Sequence, residues 1–124
     1  MPDSPLSKRV LVVDDEVFIA DSLAKILRIS GYDAAQAYSA EEALVVCSDK
    51  CPDAVITDVI MGPMNGIQLA QHIADTLPHC RVLLISGHAL TAILIQDSNA
   101  CGYRFPLLPK PVHPQQILDF LAAV

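Results

Sequence analysis

Two periods of apolar residues alternate along this chain. Short continuous apolar runs are each followed by a stretch in which apolar positions return every three or four residues. The runs at 8–13, 53–58 and 81–85 are apolar nearly throughout, which predicts strands covered on both faces, as in a parallel sheet. A shorter second strand is predicted at 32–37. A fifth at 103–108 contains Pro106, so it is expected to be an edge strand or irregular.

The stretches between them read as helices. Ile19, Leu23, Ile26 and Leu27, with Ala20 and Ala24 beside them, predict the inner stripe of the first. Ser30-Gly31 ends it, with glycine suited to the left-handed position after a helix. Ser39-Ala40-Glu41-Glu42 has the pattern of a capping box and opens a second helix that turns Ala43, Leu44 and Cys47 inward. Ile67, Ala70, Ile73, Ala74 and Leu77 mark a third, stopped by Pro78. A weaker fourth runs from about Leu90 to Ala100 and is closed by Gly102. Its Ala92-Ile93-Leu94-Ile95 is apolar nearly all round, so part of it is expected to face outward. His113-Pro114 opens the last helix, with proline at its favoured first position and Ile117, Leu118 and Leu121 inside. Strand then helix, five times over with right-handed crossovers, makes an α/β domain with a doubly wound parallel sheet. Residues 8–124 are expected to form this domain, and 1–7, polar with two prolines, a flexible lead.

At 124 residues and 52% hydrophobic, the chain suits one domain with a substantial core. A net charge of −6 argues against direct nucleic-acid binding, which needs a basic face. No apolar run approaches the roughly 18 residues of a membrane span, and the first residues lack a signal-peptide pattern. A cytoplasmic protein without membrane contact is expected. Cys47 and Cys51 can share a helix face, but no second pair or nearby His completes a zinc set. The cysteines, with Cys80 and Cys101, are expected to be buried reduced thiols.

The polar residues that end the apolar strands carry the chemistry. Asp14 and Asp15 end the first strand, Asp58 the third, Ser86 the fourth and Lys110 the fifth. Open α/β sheets place their ligands at this carboxyl edge. Three clustered carboxylates repel one another and call for a hard cation. Mg²⁺ suits them, being octahedral and oxygen-seeking. A hydroxyl and an ammonium from neighbouring strands then suit a phosphoryl group beside that metal.

With these pieces in place, the chain resembles the receiver domain of bacterial two-component response regulators, from about Arg9 to Leu121. The matching segments are Leu11-Val12-Val13-Asp14-Asp15-Glu16, Thr57-Asp58-Val59-Ile60-Met61 with Asn65-Gly66, Leu84-Ile85-Ser86-Gly87, and Lys110-Pro111. The resemblance implies a (βα)5 flavodoxin-like three-layer sandwich with strand order 2-1-3-4-5. It implies Asp58 as the phosphoacceptor, Asp15 and Asp58 as direct Mg²⁺ ligands, Asp14 acting through water, and the Ile60 carbonyl completing the set. Ser86 would be the switch hydroxyl, Lys110 would pair with the phosphoryl oxygens, and Lys110-Pro111 would be cis. The implied role is a phosphorelay module rather than an enzyme, with only its own phosphorylation and dephosphorylation self-catalysed. The donor would be a histidine kinase or histidine phosphotransfer protein. The output would be a protein partner or a homodimer, through the face of the fourth helix, fifth strand and fifth helix, which Phe120 would extend.

Three positions depart from the family. Gly62 stands where proline is usual, with proline following at Pro63. Leu107 stands where an aromatic switch residue is common. His88 occupies a position that tunes water access, or is a solvated loop residue. Two other readings stay open here: an aspartate-nucleophile phosphatase of haloacid dehalogenase type, and a degenerate receiver that only binds a partner. The first would need Asp-x-Asp after the first strand and a capping insertion, and neither is present. Because the chain ends after the fifth helix, a stand-alone receiver or one cut from a longer protein is expected.

Overall fold

The computed structural model describes residues 8–88 and 91–124. The predicted lead at 1–7 and the predicted start of the fourth helix at Leu90 lie outside the described residues. Five strands alternate with five helices: β1 Arg9–Val13, α1 Val17–Ile29, β2 Asp33–Ala37, α2 Ala40–Asp49, β3 Ala54–Asp58, α3 Gly66–Thr76, β4 Arg81–Ser86, α4 Thr91–Ala100, β5 Leu107–Pro109 and α5 Pro114–Ala122. All pairs are parallel, in the order β2-β1-β3-β4-β5. The expected doubly wound flavodoxin-like sheet is therefore present.

Strand alternation sorts the core into two layers. Leu11, Val13, Val55, Val82 and Leu84 face Ala40, Ala43, Cys47, Ile67, Ala70 and Ile73 on the α2–α3 side. Val10, Val12, Ala54, Ile56, Leu83 and Ile85 face Ala20, Ala24, Leu27, Ile117 and Leu121 on the α1–α5 side. All five residues of β3 are buried, as a strand sandwiched between helices requires.

Most helix-end signals in the sequence take their expected form. Gly31 and Gly102 take φ of +101° and +94° after α1 and α4, where a side chain would be strained. Ser39 accepts a bond from the Glu42 amide, but only this half of the predicted box forms. Reciprocal boxes form instead at Asn65 with Gln68 and at His113 with Gln116. The irregularity expected from Pro106 shortens β5 to three residues.

The apolar stripe of α1 differs from its reading. Ala20, Ala24 and Leu27 are buried, whereas Ile19 and Ile26 remain 37% and 36% exposed and Phe18 is 82% exposed. The small residues let the helix lie close to the sheet and leave the larger ones at its flanks. On α4 only Ile93 is a large exposed hydrophobic; Leu94 and Ile95 pack against the α2–α3 layer. Phe120 is partly buried and packs against the α1–α5 layer. All four cysteines are free, but only Cys47 is buried, since Cys51 and Cys101 lie on the surface and Cys80 is half-buried. Burial still pushes the Cys80 thiol up to about 12, which leaves it little thiolate and little reactivity.

Candidate functional site

The register of the sheet brings the strand ends together. Asp58 is the last residue of β3 and lies opposite Ile85 of β4; Ser86 is one step further along, opposite Pro109. Asp14 and Asp15 follow β1 directly. The turn after β3 is held by close backbone packing. The Gly66 amide donates to the Val59 carbonyl at 2.7 Å, and a Cβ on Gly66 would sit 2.0 Å from the Asp58 carbonyl oxygen. Only glycine fits there, so the Asn65-Gly66 start of α3 fixes how the chain leaves Asp58.

Asp14, Asp15 and Asp58 each offer a carboxylate oxygen, and these oxygens lie within 4.8 Å of one another. Among the described residues they are the one such group of three or more acidic, His or Cys side chains. Opposite ligands of a Mg²⁺ ion stand about 4.2 Å apart, so the cluster fits a small hard cation by both donor type and spacing.

Asp14 is 4% exposed and Asp58 is 9% exposed, while Asp15 is open to solvent. Asp14 Oδ1 accepts from the Glu16 amide at 2.9 Å, and Asp58 Oδ1 from the Val59 amide at 2.9 Å. The other oxygen of each faces Lys110, whose Nζ lies 3.5 Å from Asp14 Oδ2 and 3.4 Å from Asp58 Oδ2. These separations are longer than a good charge-assisted hydrogen bond, so the ammonium is shared between the two carboxylates. The Lys110 amide donates to the Ser86 carbonyl at 3.0 Å, and the Lys110-Pro111 bond is cis, as expected.

The electrostatics follow from one ammonium among three carboxylates. Burial pushes the Asp58 carboxyl above the usual range; Lys110 pulls it down and Asp14 pushes it further up. Burial works against the Lys110 ammonium, but Asp58 and Asp14 together outweigh it and raise its pKa.

Ser86 is buried at the same edge, but its hydroxyl is engaged elsewhere. It shares a short hydrogen bond with the hydroxyl of Thr91, the first residue of α4, and accepts from the His88 amide at 3.1 Å. Thr91 is 4% exposed. No motif in the sequence singles it out; only the fold shows it beside Ser86.

The chain belongs to the response regulator receiver domain family, whose model matches residues 10–122. It is similar to chemotaxis protein CheY of Thermotoga maritima, 31% identical over 120 residues, covering 96% of this chain and 98% of that protein. It is 28% identical over 121 residues to response regulator MprA of Mycobacterium bovis, covering 96% of this chain and 51% of that protein. The chain thus spans about half the length of this second relative. Among solved structures it is similar to response regulator protein TrrA of Thermotoga maritima, in complex with Mg²⁺ and BeF, with a TM-score of 0.78, 26% identity and coverage of 94% of this chain and 97% of that one. Receiver domains are signalling modules of two-component systems that work with histidine kinases and output domains. The comparisons give the phosphatase reading no support. No described helix is long and apolar enough to cross a membrane.

Proposed function

We propose that this receiver takes a phosphoryl group onto Asp58 from a phosphohistidine of a histidine kinase or phosphotransfer protein. The observation that carries this reading is the convergence of buried Asp14 and Asp58 on Lys110, with Asp15 alongside, at the carboxyl edge of the sheet. An Asp58 carboxylate oxygen bonds to phosphorus as the phosphorus–nitrogen bond breaks, and the histidine nitrogen leaves with the bonding pair. Asp14, Asp15 and Asp58, with the Ile60 carbonyl, would hold Mg²⁺, which supplies charge neutralisation at the phosphoryl oxygens. Lys110 is placed to follow the negative charge from the Asp58 carboxylate to its phosphoryl group. Loss of the phosphoryl group by hydrolysis would use the same residues, so phosphorylation and dephosphorylation would both be self-catalysed. Incubation with acetyl phosphate, followed by intact mass, tests the proposal. The protein should gain one phosphoryl group with Mg²⁺ and none in EDTA; equal uptake in both would refute the metal-assisted reading.

The output route we propose runs through α4. The family's usual aromatic switch position is Leu107, which is 39% exposed. The nearby aromatics are tied down: Tyr103 stacks on Phe105 and donates to the Asp75 carboxylate at 2.9 Å. Ser86 instead reaches α4 directly through Thr91, while Gln71 of α3 holds the far end of α4 by a 3.0 Å bond to Ser98. A phosphoryl group on Asp58 would draw the Ser86 hydroxyl from Thr91 and release the start of α4. The exposed Ile93 and Leu107 then mark the α4–β5–α5 face as the surface for an output partner or a second copy.

Thr91→Val keeps the shape but removes the hydroxyl. Its α4 amides are expected to exchange with solvent roughly threefold to tenfold faster than wild type before activation, the size of one lost buried hydrogen bond. Beryllofluoride with Mg²⁺ should then add little, whereas Thr91→Ser should behave as wild type. If activation accelerates exchange equally in Thr91→Val and wild type, the Thr91 link is wrong.

A further inference from the structure

A cavity of about 530 Å³ lies between α1 and α5, over the sheet. Its walls include Ile19, Leu23 and Ile26 of α1 and Val112 and Ile117 from the α5 side, with Ile56 of β3 as part of its floor. Ile19 and Ile26 are the residues that the apolar period places inside the first helix, yet both stay more than a third exposed. They line open space where a core would otherwise close. The volume falls within the roughly 300–1,000 Å³ of small-molecule sites, which are mostly apolar with a few convergent polar groups. Here the convergent polar groups are Asp14, Asp58 and Lys110.

We propose that the cavity binds an amphipathic amine. Its apolar body would lie between α1 and α5, and its protonated amino head would meet Asp14 and Asp58. Charge decides the class of the head. Two carboxylates, Asp14 and Asp58, line this end with the single ammonium of Lys110 shared between them, and Asp15 adds a third negative charge in the same cluster, so a further cation is attracted and an anion repelled. Apolar walls reward a hydrocarbon body by removing its surface from water. Such a ligand would occupy the acid cluster from the side and compete with any cation held there.

The test uses the full chain in EDTA without a phosphodonor, so its failure leaves the phosphoacceptor reading standing. Phenylbutylamine, phenylbutanol and phenylbutyrate share one body and differ only in the head. Titration of each, followed by amide NMR shifts, should show the amine binding at least about tenfold more tightly than the others. The shifts should centre on Ser22, Ile26 and Ile117. Ser22→Phe, which fills the cavity from half-buried Ser22, should weaken the amine at least about tenfold. Ile19→Trp serves the same purpose if Ser22→Phe does not fold. Equal binding of all three compounds would overturn the cationic class. Absence of amine binding at millimolar concentration, or binding unaffected by the filled cavity, would overturn the site.

Discussion

Asp58→Asn is expected to gain no mass from acetyl phosphate under conditions in which the wild-type chain gains one phosphoryl group. The amide has the shape of the carboxylate but neither its charge nor its nucleophilic oxygen. Uptake at the wild-type level by Asp58→Asn would move the acceptor elsewhere. The same variant carries a second signature. Burial raises the Asp58 pKa in the folded state, so the fold favours the proton between the ordinary and the raised value. Stability from this group is therefore present below the ordinary pKa and lost as pH rises through the folded one. In EDTA at neutral pH, Asp58→Asn should therefore melt higher than wild type. That gap should close as pH falls toward the ordinary carboxylate range. A gap that instead widens toward acid would reverse the sign of the effect.

Asp15→Ala is expected to lose at least about tenfold in Mg²⁺ affinity, since even supporting residues around a metal cost that much. Asp15 is the solvent-facing member of the cluster, so its removal relieves little buried repulsion and should change stability little. Loss of affinity without loss of fold would then isolate a ligand role. Glu16→Ala is the control: Glu16 is exposed and lies outside the cluster, and only its backbone amide serves Asp14. Calorimetric titration distinguishes the two. Equal Mg²⁺ binding by Asp15→Ala and wild type would remove Asp15 from the ligand set.

Most of this architecture was legible in residue order. The continuous apolar runs that became β1, β3 and β4 could lie only between two layers of helices. The polar residues that end parallel strands then necessarily meet at one edge, which is why Asp14 and Asp15 after β1, Asp58 of β3, Ser86 of β4 and Lys110 after β5 were readable as a group. Period and turn chemistry also placed the helices, the left-handed Gly31 and the close of α4 at Gly102.

What period does not specify is how deeply each apolar side chain goes. Ile19 and Ile26 obey the helical spacing, but Ala20 and Ala24 make the contact with the sheet, and the isoleucines are left around a cavity. Phe120 lies off the inner stripe yet packs against the α1–α5 layer. The partners of side chains far apart in sequence also came only from the fold. Lys110 shared between Asp14 and Asp58, and the Gln71 bond to Ser98, depend on distances that strand order and crossover packing set. Even Thr91, only five residues from Ser86, is shown to share its hydroxyl hydrogen bond by the fold alone. Local periodicity acts through which residues avoid water, and that determined the elements and their order. The depth of each cavity and the partner of each buried polar group depend on how those elements settle together, and that only the tertiary structure decided.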